Sequence, residues 1–366
     1  MPRAGWARPE TDQRLSDHLS IAMLTRVYPP TLIDDVITVT GRGEQRQRLL
    51  SARVVLYYVL ALALFAESSY EEVMRHLLEG LAWQEQWAFP WQLPTKAAIF
   101  KSRTRLGVEP LVELYRRAIR PLGPPVARYR AWQLVTLDDA WIDVAGTPAN
   151  AAAVGRPEAA PQFRMMGLVE QATQVIIDLA IAPAETETPP LQPILERSLH
   201  AGMLCSADGQ LADFGLWEEA RKQGAELLWR PHDGTASTAA LTAAPTPIET
   251  LPDGSYLAHL PGAGGRDGGP VVRVLDVPDT GADGTDGRHL FTSLLDPAVA
   301  PASDLISLHS GRTRLDATLD ELKTHQRAPR LVLRSKSPDL VLQELYGMVL
   351  VHFAIRSLLG QPAGFA

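Results

Sequence analysis

The sequence predicts an α/β fold in which an all-α region over residues 21–123 precedes an α/β core. The core runs over residues 131–231 and 301–366 and is interrupted by a β-rich insertion over 232–300. Three observations carry this. Apolar residues recur at helical spacing from Ile21 to Gly123. From Trp132 onward, short apolar runs that read as strands alternate with helical stretches. Residues 232–300 are rich in Gly and Pro and break that alternation.

Residues 1–20 are polar and read as a loose tail. Thr31–Val39 is a short helix after Pro29 and Pro30. Ala52–Ala66 is an apolar core helix, and Ser68–Leu81 follows with a capping box formed by Ser69 and Glu72. A Trp-rich loop leads to Thr95–Leu106, a basic helix stopped by Gly107, and then to the helix Glu109–Ile119. This pair resembles a helix-turn-helix that offers Lys96, Lys101, Arg103 and Arg105 to DNA. A helical bundle with a solvated basic face fits the same residues.

Pro124–Arg130 is a linker, Trp132–Val144 a strand, and GTPANAAAVGRPEAAP a loop. Arg164–Glu170 and Gln174–Ile181 alternate as a hairpin. Helix Leu191–Leu199, strand Gly202–Ala207, helix Phe214–Gly224 and strand Glu226–Arg230 follow. Strand, hairpin, helix, strand and helix is the order of an RNase H-like core. The insertion holds three strand candidates, SYLAHL, VVRVLDV and HLFTSLL. Leu340–Leu359 is an apolar helix expected to close the core.

Composition sets bounds. One cysteine, Cys205, excludes an intrachain disulfide and suits a reducing compartment, so a cytoplasmic protein is expected. The first residues lack the apolar stretch of a secretory signal. The run Val54–Ala66 is shorter than the roughly 18 residues of a membrane span, and no membrane partner is expected. Net charge is −7, but residues 1–130 carry 18 Lys and Arg against 13 Asp and Glu. Local basic surface, rather than net charge, drives phosphate contact.

The stretch His309–Lys323 reads as a helix. His309, Arg312, Asp316, Asp320 and Lys323 fall on or near one face, and Leu308, Leu315, Leu319 and Leu322 on another. The polar face suits a metal held by the acid and a phosphate held by the bases; it also reads as a solvated face of intrahelical ion pairs. Two earlier runs, QLVTLD and GMLCSAD, end in Asp138 and Asp208. Acids from two strands and a helix can converge on a pair of divalent cations. Asp139, Asp143 and Asp178 are alternatives to Asp138, with Asp143 on the opposite face of its strand. The histidines form no close-spaced pair that would suit zinc.

These residues resemble the DDE transposases of bacterial insertion sequences, in the insertion-element-four family. The third-acid helix of that family carries Tyr-Arg-Glu-Lys with gaps of two, three and six residues. Here His309, Arg312, Asp316 and Lys323 keep the spacing. The likeness covers nearly the whole chain, including LTRVYPPTLIDDVI, SARVVLYYVLALALFAESSYEEV, GTPANAAAVGRP, GMLCSAD, LPDGSYLA, and DELKTHQ with LRSKSPDLVLQELYG. It departs at Gly146, Gly209, Leu211, His309, Thr313 and Asp316, where the family usually has Asp, Arg, Phe, Tyr, Trp and Glu.

The resemblance implies that Asp138, Asp208 and Asp316 are the catalytic acids and hold Mg²⁺ or Mn²⁺. It implies that His309, Arg312 and Lys323 contact DNA, and that the helical N-terminal region binds it. The partners expected are double-stranded DNA, both transposon ends and target, and a second copy in a homodimer. Two functions follow: a polynucleotidyl transferase whose activity the departures lower, and a transposase remnant that only binds DNA. Asp316, one methylene shorter than Glu, separates them.

Overall fold

The computed structural model describes residues 15–44, 49–66, 68–83, 93–122, 128–155, 161–183, 186, 191–209, 211–212, 214–231, 247–260, 269–277, 289–312 and 332–359. The chain divides into two compact units. One comprises Met1–Ala118 with Leu342–Ile355, the other Ile119–Val341 with Arg356–Ala366.

The first unit is helical: α1 (Leu15–Val27), α2 (Pro30–Val39), α3 (Ala52–Leu64), α4 (Tyr70–Trp83), α5 (Lys96–Leu106) and α6 (Glu109–Ala118). Their ends follow local chemistry. The Ser51 hydroxyl accepts from Val54 N–H at the start of α3. Ser69 and Glu72 form the expected capping box before α4, with Ser69 N–H donating to Glu72 Oε2 at 2.9 Å and Glu72 N–H to Ser69 Oγ at 3.2 Å. Thr95 caps α5, and Gly107 stops it with φ +72°, where glycine carries no Cβ penalty. Helix α3 is buried on nearly every side, as a helix at the centre of a bundle must be.

The last helix, α11 (Pro338–Leu359), corrects an expectation. Its central residues, 342–355, complete the helical unit rather than close the α/β core. Tyr28 hydroxyl donates to Leu350 O at 2.6 Å, and Tyr57 hydroxyl to Tyr28 O at 2.6 Å. Gly347 lets the backbones approach, since a Cβ there would lie 3.0 Å from Val59 O. The helix is long and apolar enough to cross a membrane, but 72% of its apolar window is buried inside the protein, as in a core helix.

The second unit is mixed α/β, with eleven strands among the described residues in one sheet. They are β1 (Arg128–Tyr129), β2 (Trp132–Val144), β3 (Gln162–Glu170), β4 (Ile176–Pro183), β5 (Met203–Gly209), β6 (Glu226–Pro231), β7 (Glu249–Thr250), β8 (Tyr256–His259), β9 (Val271–Asp276), β10 (His289–Thr292) and β11 (Val332–Leu333). The order is β4-β3-β2-β5-β6-β10-β9-β8-β7, with β1 and β11 both pairing with β2. Pairing is antiparallel through β4, β3 and β2, then parallel from β2 to β5 and β6. The insertion strands extend this sheet, because β10 pairs with β6.

Helices α7 (Pro148–Val154), α8 (Gln192–Ser198), α9 (Phe214–Lys222) and α10 (Ala302–Ser310) belong to the same unit. Helix α7 lies in the stretch expected to be a loop. Thr147 caps it, Pro148 opens it and three alanines carry it. The expected helix start at His309 also changes, since His309 sits in the last turn of α10, which stops at Gly311. Residues 313–331, with Asp316, Asp320 and Lys323, lie outside the described residues.

Candidate active site

Strands β2 and β5 run parallel, with Gln133 to Leu137 in register with Met203 to Ala207. Asp138 and Asp208 are the next residue on each strand. They therefore lie side by side on one face of the sheet, on strands about 4.8 Å apart. The far end of β2 pairs instead with β11, through Asp143 and Val144. Asp138 thus lies midway along β2, between the stretch paired with β5 and the stretch paired with β11, and opposite Gly167 of β3. The expectation that its strand ends at Asp138 is corrected, since β2 runs on to Val144.

Arg312 closes onto this edge. Its guanidinium is ion-paired with Asp208 Oδ2 and donates to His309 O at 2.7 Å. Asp208 Oδ1 accepts from Gly209 N–H at 2.9 Å. Gly209 has φ +57°, the left-handed turn that ends β5. Arg312 is 12% exposed and Asp208 26%, so the pair sits at the surface end of the strands.

The alternative acids are held in place by other groups. Asp139 pairs with Arg164 at 2.5 Å, beneath the ring of Trp141. Asp143 accepts from Gln162 at 2.7 Å. Asp178 is buried against Arg197 and Ser198 of α8. Asp138 and Asp208 instead lie next to each other across β2 and β5, just past the paired residues Leu137 and Ala207. Arg230, registered with Asp208 across β5 and β6, was not singled out from the sequence. Its signal was present, for it ends the strand ELLWRP at the same edge.

Two of the expected DNA contacts are corrected. His309 is 3% exposed and Arg103 is 3% exposed, so neither can reach a phosphate as placed. Arg103 donates to Gln343 Oε1 at 3.1 Å and pairs with Glu344 at 3.5 Å, joining α5 to α11. Arg105 is tied to Glu44 at 3.2 Å and to Leu50 O at 2.8 Å. Lys96, near Glu71 at 3.4 Å, and Lys101 are exposed on α5. Among the described residues, no three His, Cys, Asp or Glu side chains gather as a metal cluster. The third expected acid is not among those residues. Burial pushes the Cys205 thiol up to about 12, which makes it a packing residue.

Comparison with known proteins gives the following likenesses. Residues 18–116 match the family described as "Insertion element 4 transposase N-terminal". The chain is 23% identical over 346 residues to "Transposase InsG for insertion sequence element IS4" of Escherichia coli (strain K12), covering 89% of this chain and 74% of that one. Both likenesses are to transposases of the insertion-element-four family. A solved chain from "piggyBac transposase synaptic complex with hairpin DNA" aligns with TM-score 0.48 and 9% identity, over 93% of this chain and 75% of that one.

Proposed function

We propose that this chain is a DNA transposase that binds the ends of its element and cuts and joins DNA in a metal-dependent reaction. The observation that carries this is Asp138, midway along β2, and Asp208, near the end of parallel β5, each one residue beyond the paired positions Leu137 and Ala207, with Arg312 held on Asp208. The antiparallel β4-β3-β2 ribbon continuing into parallel β5 and β6 supports an RNase H-like core.

Hard carboxylate oxygens suit Mg²⁺ or Mn²⁺. Asp138 and Asp208 would hold the ions, and Asp316, four residues beyond Arg312, is the third acid we propose. Such ions, when bound, activate the attacking hydroxyl and stabilise the leaving oxygen. Arg312 offers a planar fork of donors to a phosphate, and Lys323 a point charge. The exposed Lys96 and Lys101 of α5 serve DNA binding by the helical unit. Two copies of the chain would bring two DNA ends together.

The test is cleavage of a labelled duplex carrying the terminal repeats that flank the gene, with Mg²⁺ or Mn²⁺ added. Nicking at the repeat boundary is expected, with loss in Asp138→Asn, Asp208→Asn and Asp316→Asn. Undiminished cleavage by Asp208→Asn would sink the reading of this pair.

A further inference from the structure

We infer that Asp253 and Arg273, in the β-rich insertion, are positioning residues that hold α10 so that Arg312 meets Asp208. The inference rests on the reading of Asp208 as a metal ligand.

Helix α10 follows Pro301, whose side chain gives no cap. The first N–H of the helix, that of Ala302, is instead taken by Asp253 Oδ2 at 2.9 Å, from the turn between β7 and β8. A carboxylate there satisfies an orphan donor and faces the positive end of the helix. Asp253 is itself fixed: Oδ1 accepts from Ser255 Oγ at 2.6 Å, and Oδ2 pairs with Arg273. Arg273 is 0% exposed. Its Nε donates to Ser255 Oγ at 2.7 Å and its Nη1 to Ala300 O at 2.6 Å. One guanidinium therefore holds both the Asp253 turn and the segment that enters α10.

Burial pushes Asp253 up, but the Ser255 and Ala302 donors and the Arg273 charge outweigh it, so its carboxyl lies below the usual range. It is charged, as a cap of this kind needs. The apolar side of α10 packs into the same region. Leu305 lies in a core with Leu204 and Leu228 of the central strands and Leu275 and Leu290 of the insertion strands. Over nine residues, at about 1.5 Å each, the helix spans about 13 Å. At its far end Gly311 stops it and Arg312 turns onto Asp208. The insertion thus acts as seat and clamp for the element that aims Arg312.

The test uses the full-length chain and two readouts besides activity. Amide hydrogen exchange over residues 302–310 is compared in wild type and Asp253→Ala. Mn²⁺ affinity is measured by titration for Asp253→Ala, Arg312→Ala and the double variant. Loss of a cap should speed exchange in this helix about fivefold or more, with β2 and β5 unchanged. Released from Arg312, Asp208 should bind Mn²⁺ roughly three- to tenfold tighter in either single variant, and the double variant should add nothing. Asp253→Asn, which keeps an acceptor oxygen, should show a smaller change and serves if Asp253→Ala does not fold. Wild-type exchange over 302–310, or additive Mn²⁺ effects, would overturn the clamp. If Asp208→Asn leaves Mn²⁺ affinity unchanged, the metal-ligand reading fails instead, and the exchange data alone decide whether Asp253 holds α10.

Discussion

Each unit of this protein sets an arginine against a carboxylate, and the two pairs serve opposite ends. In the helical unit, Arg103 is 3% exposed and bridges α5 to Gln343 and Glu344 of α11. In the α/β unit, Arg312 meets Asp208 near the C-terminal end of β5. The first pair is sealed in protein and its charges are used for packing. The second keeps its acid at the surface, where a cation or a phosphate can compete for either partner. Sequence treats both arginines alike, as basic residues on helical stretches beside suggestive neighbours. Burial separates them.

The largest expected effect tests the sealed pair. Arg103→Ala leaves Glu344 buried without its cation and should cost about 3–5 kcal/mol in urea denaturation followed by circular dichroism. A loss under about 1 kcal/mol, typical of an exposed pair, would erase the contrast.

Next comes the open pair. Asp138→Asn or Asp208→Asn should lower metal-dependent cleavage by about 100- to 1000-fold, the scale of removing one group that stabilises developing charge. The melting temperature should stay near that of wild type. A variant that unfolds rather than loses activity would show that this pair, too, is structural.

A smaller effect concerns DNA binding by α5. Lys96→Ala and Lys101→Ala should each weaken binding to duplex DNA and flatten the salt dependence by about one unit of log–log slope. Arg103→Lys, if folded, should leave that slope unchanged. Equal slopes for wild type and both lysine variants would remove α5 from the DNA surface.

The smallest effect is local. Ser69→Ala should cost about 1 kcal/mol by removing half of the capping box. The Ser69 donors hold the Glu72 carboxyl below its ordinary value. That contribution is present above the unfolded carboxylate value and is lost as pH falls through the lower folded one. The gap between wild type and Glu72→Gln, which removes the titrating carboxyl while Ser69→Ala keeps the backbone donor, should therefore narrow on acidification, read as melting temperature against pH.

Much of this was legible in sequence where the cause is local. The Ser69–Glu72 box, Gly107 after α5, and the strand that brings Asp208 to its C-terminal end depend on neighbours a few residues away. The loop assigned to GTPANAAAVGRP became α7 because a Thr-Pro start and an alanine run outweighed the flanking glycines. Arg103 was misjudged although its signal existed: Ile99, Ser102, Arg103 and Leu106 are the buried positions of α5, at spacings of three, one and three. Charge was read before spacing. The role of α11 was not legible, because its partners Tyr28 and Val59 lie hundreds of residues upstream. The clamp on α10 was hidden for the same reason, since Asp253 caps a helix 49 residues away.

The division of α11 has a consequence for how the chain is made. Tyr28 and Leu350 are 322 residues apart, and the helical unit lacks a buried helix until residues 342–355 leave the ribosome. On the order of 220 residues of α/β sequence must be translated in between, a delay of roughly 10–40 seconds at bacterial rates. During that time Val59 and the Tyr28 hydroxyl lack their partners on α11. A nascent chain, or one cut short before residue 342, cannot finish the unit that carries Lys96 and Lys101. The helical unit therefore completes its packing only after residues 342–355 have been made.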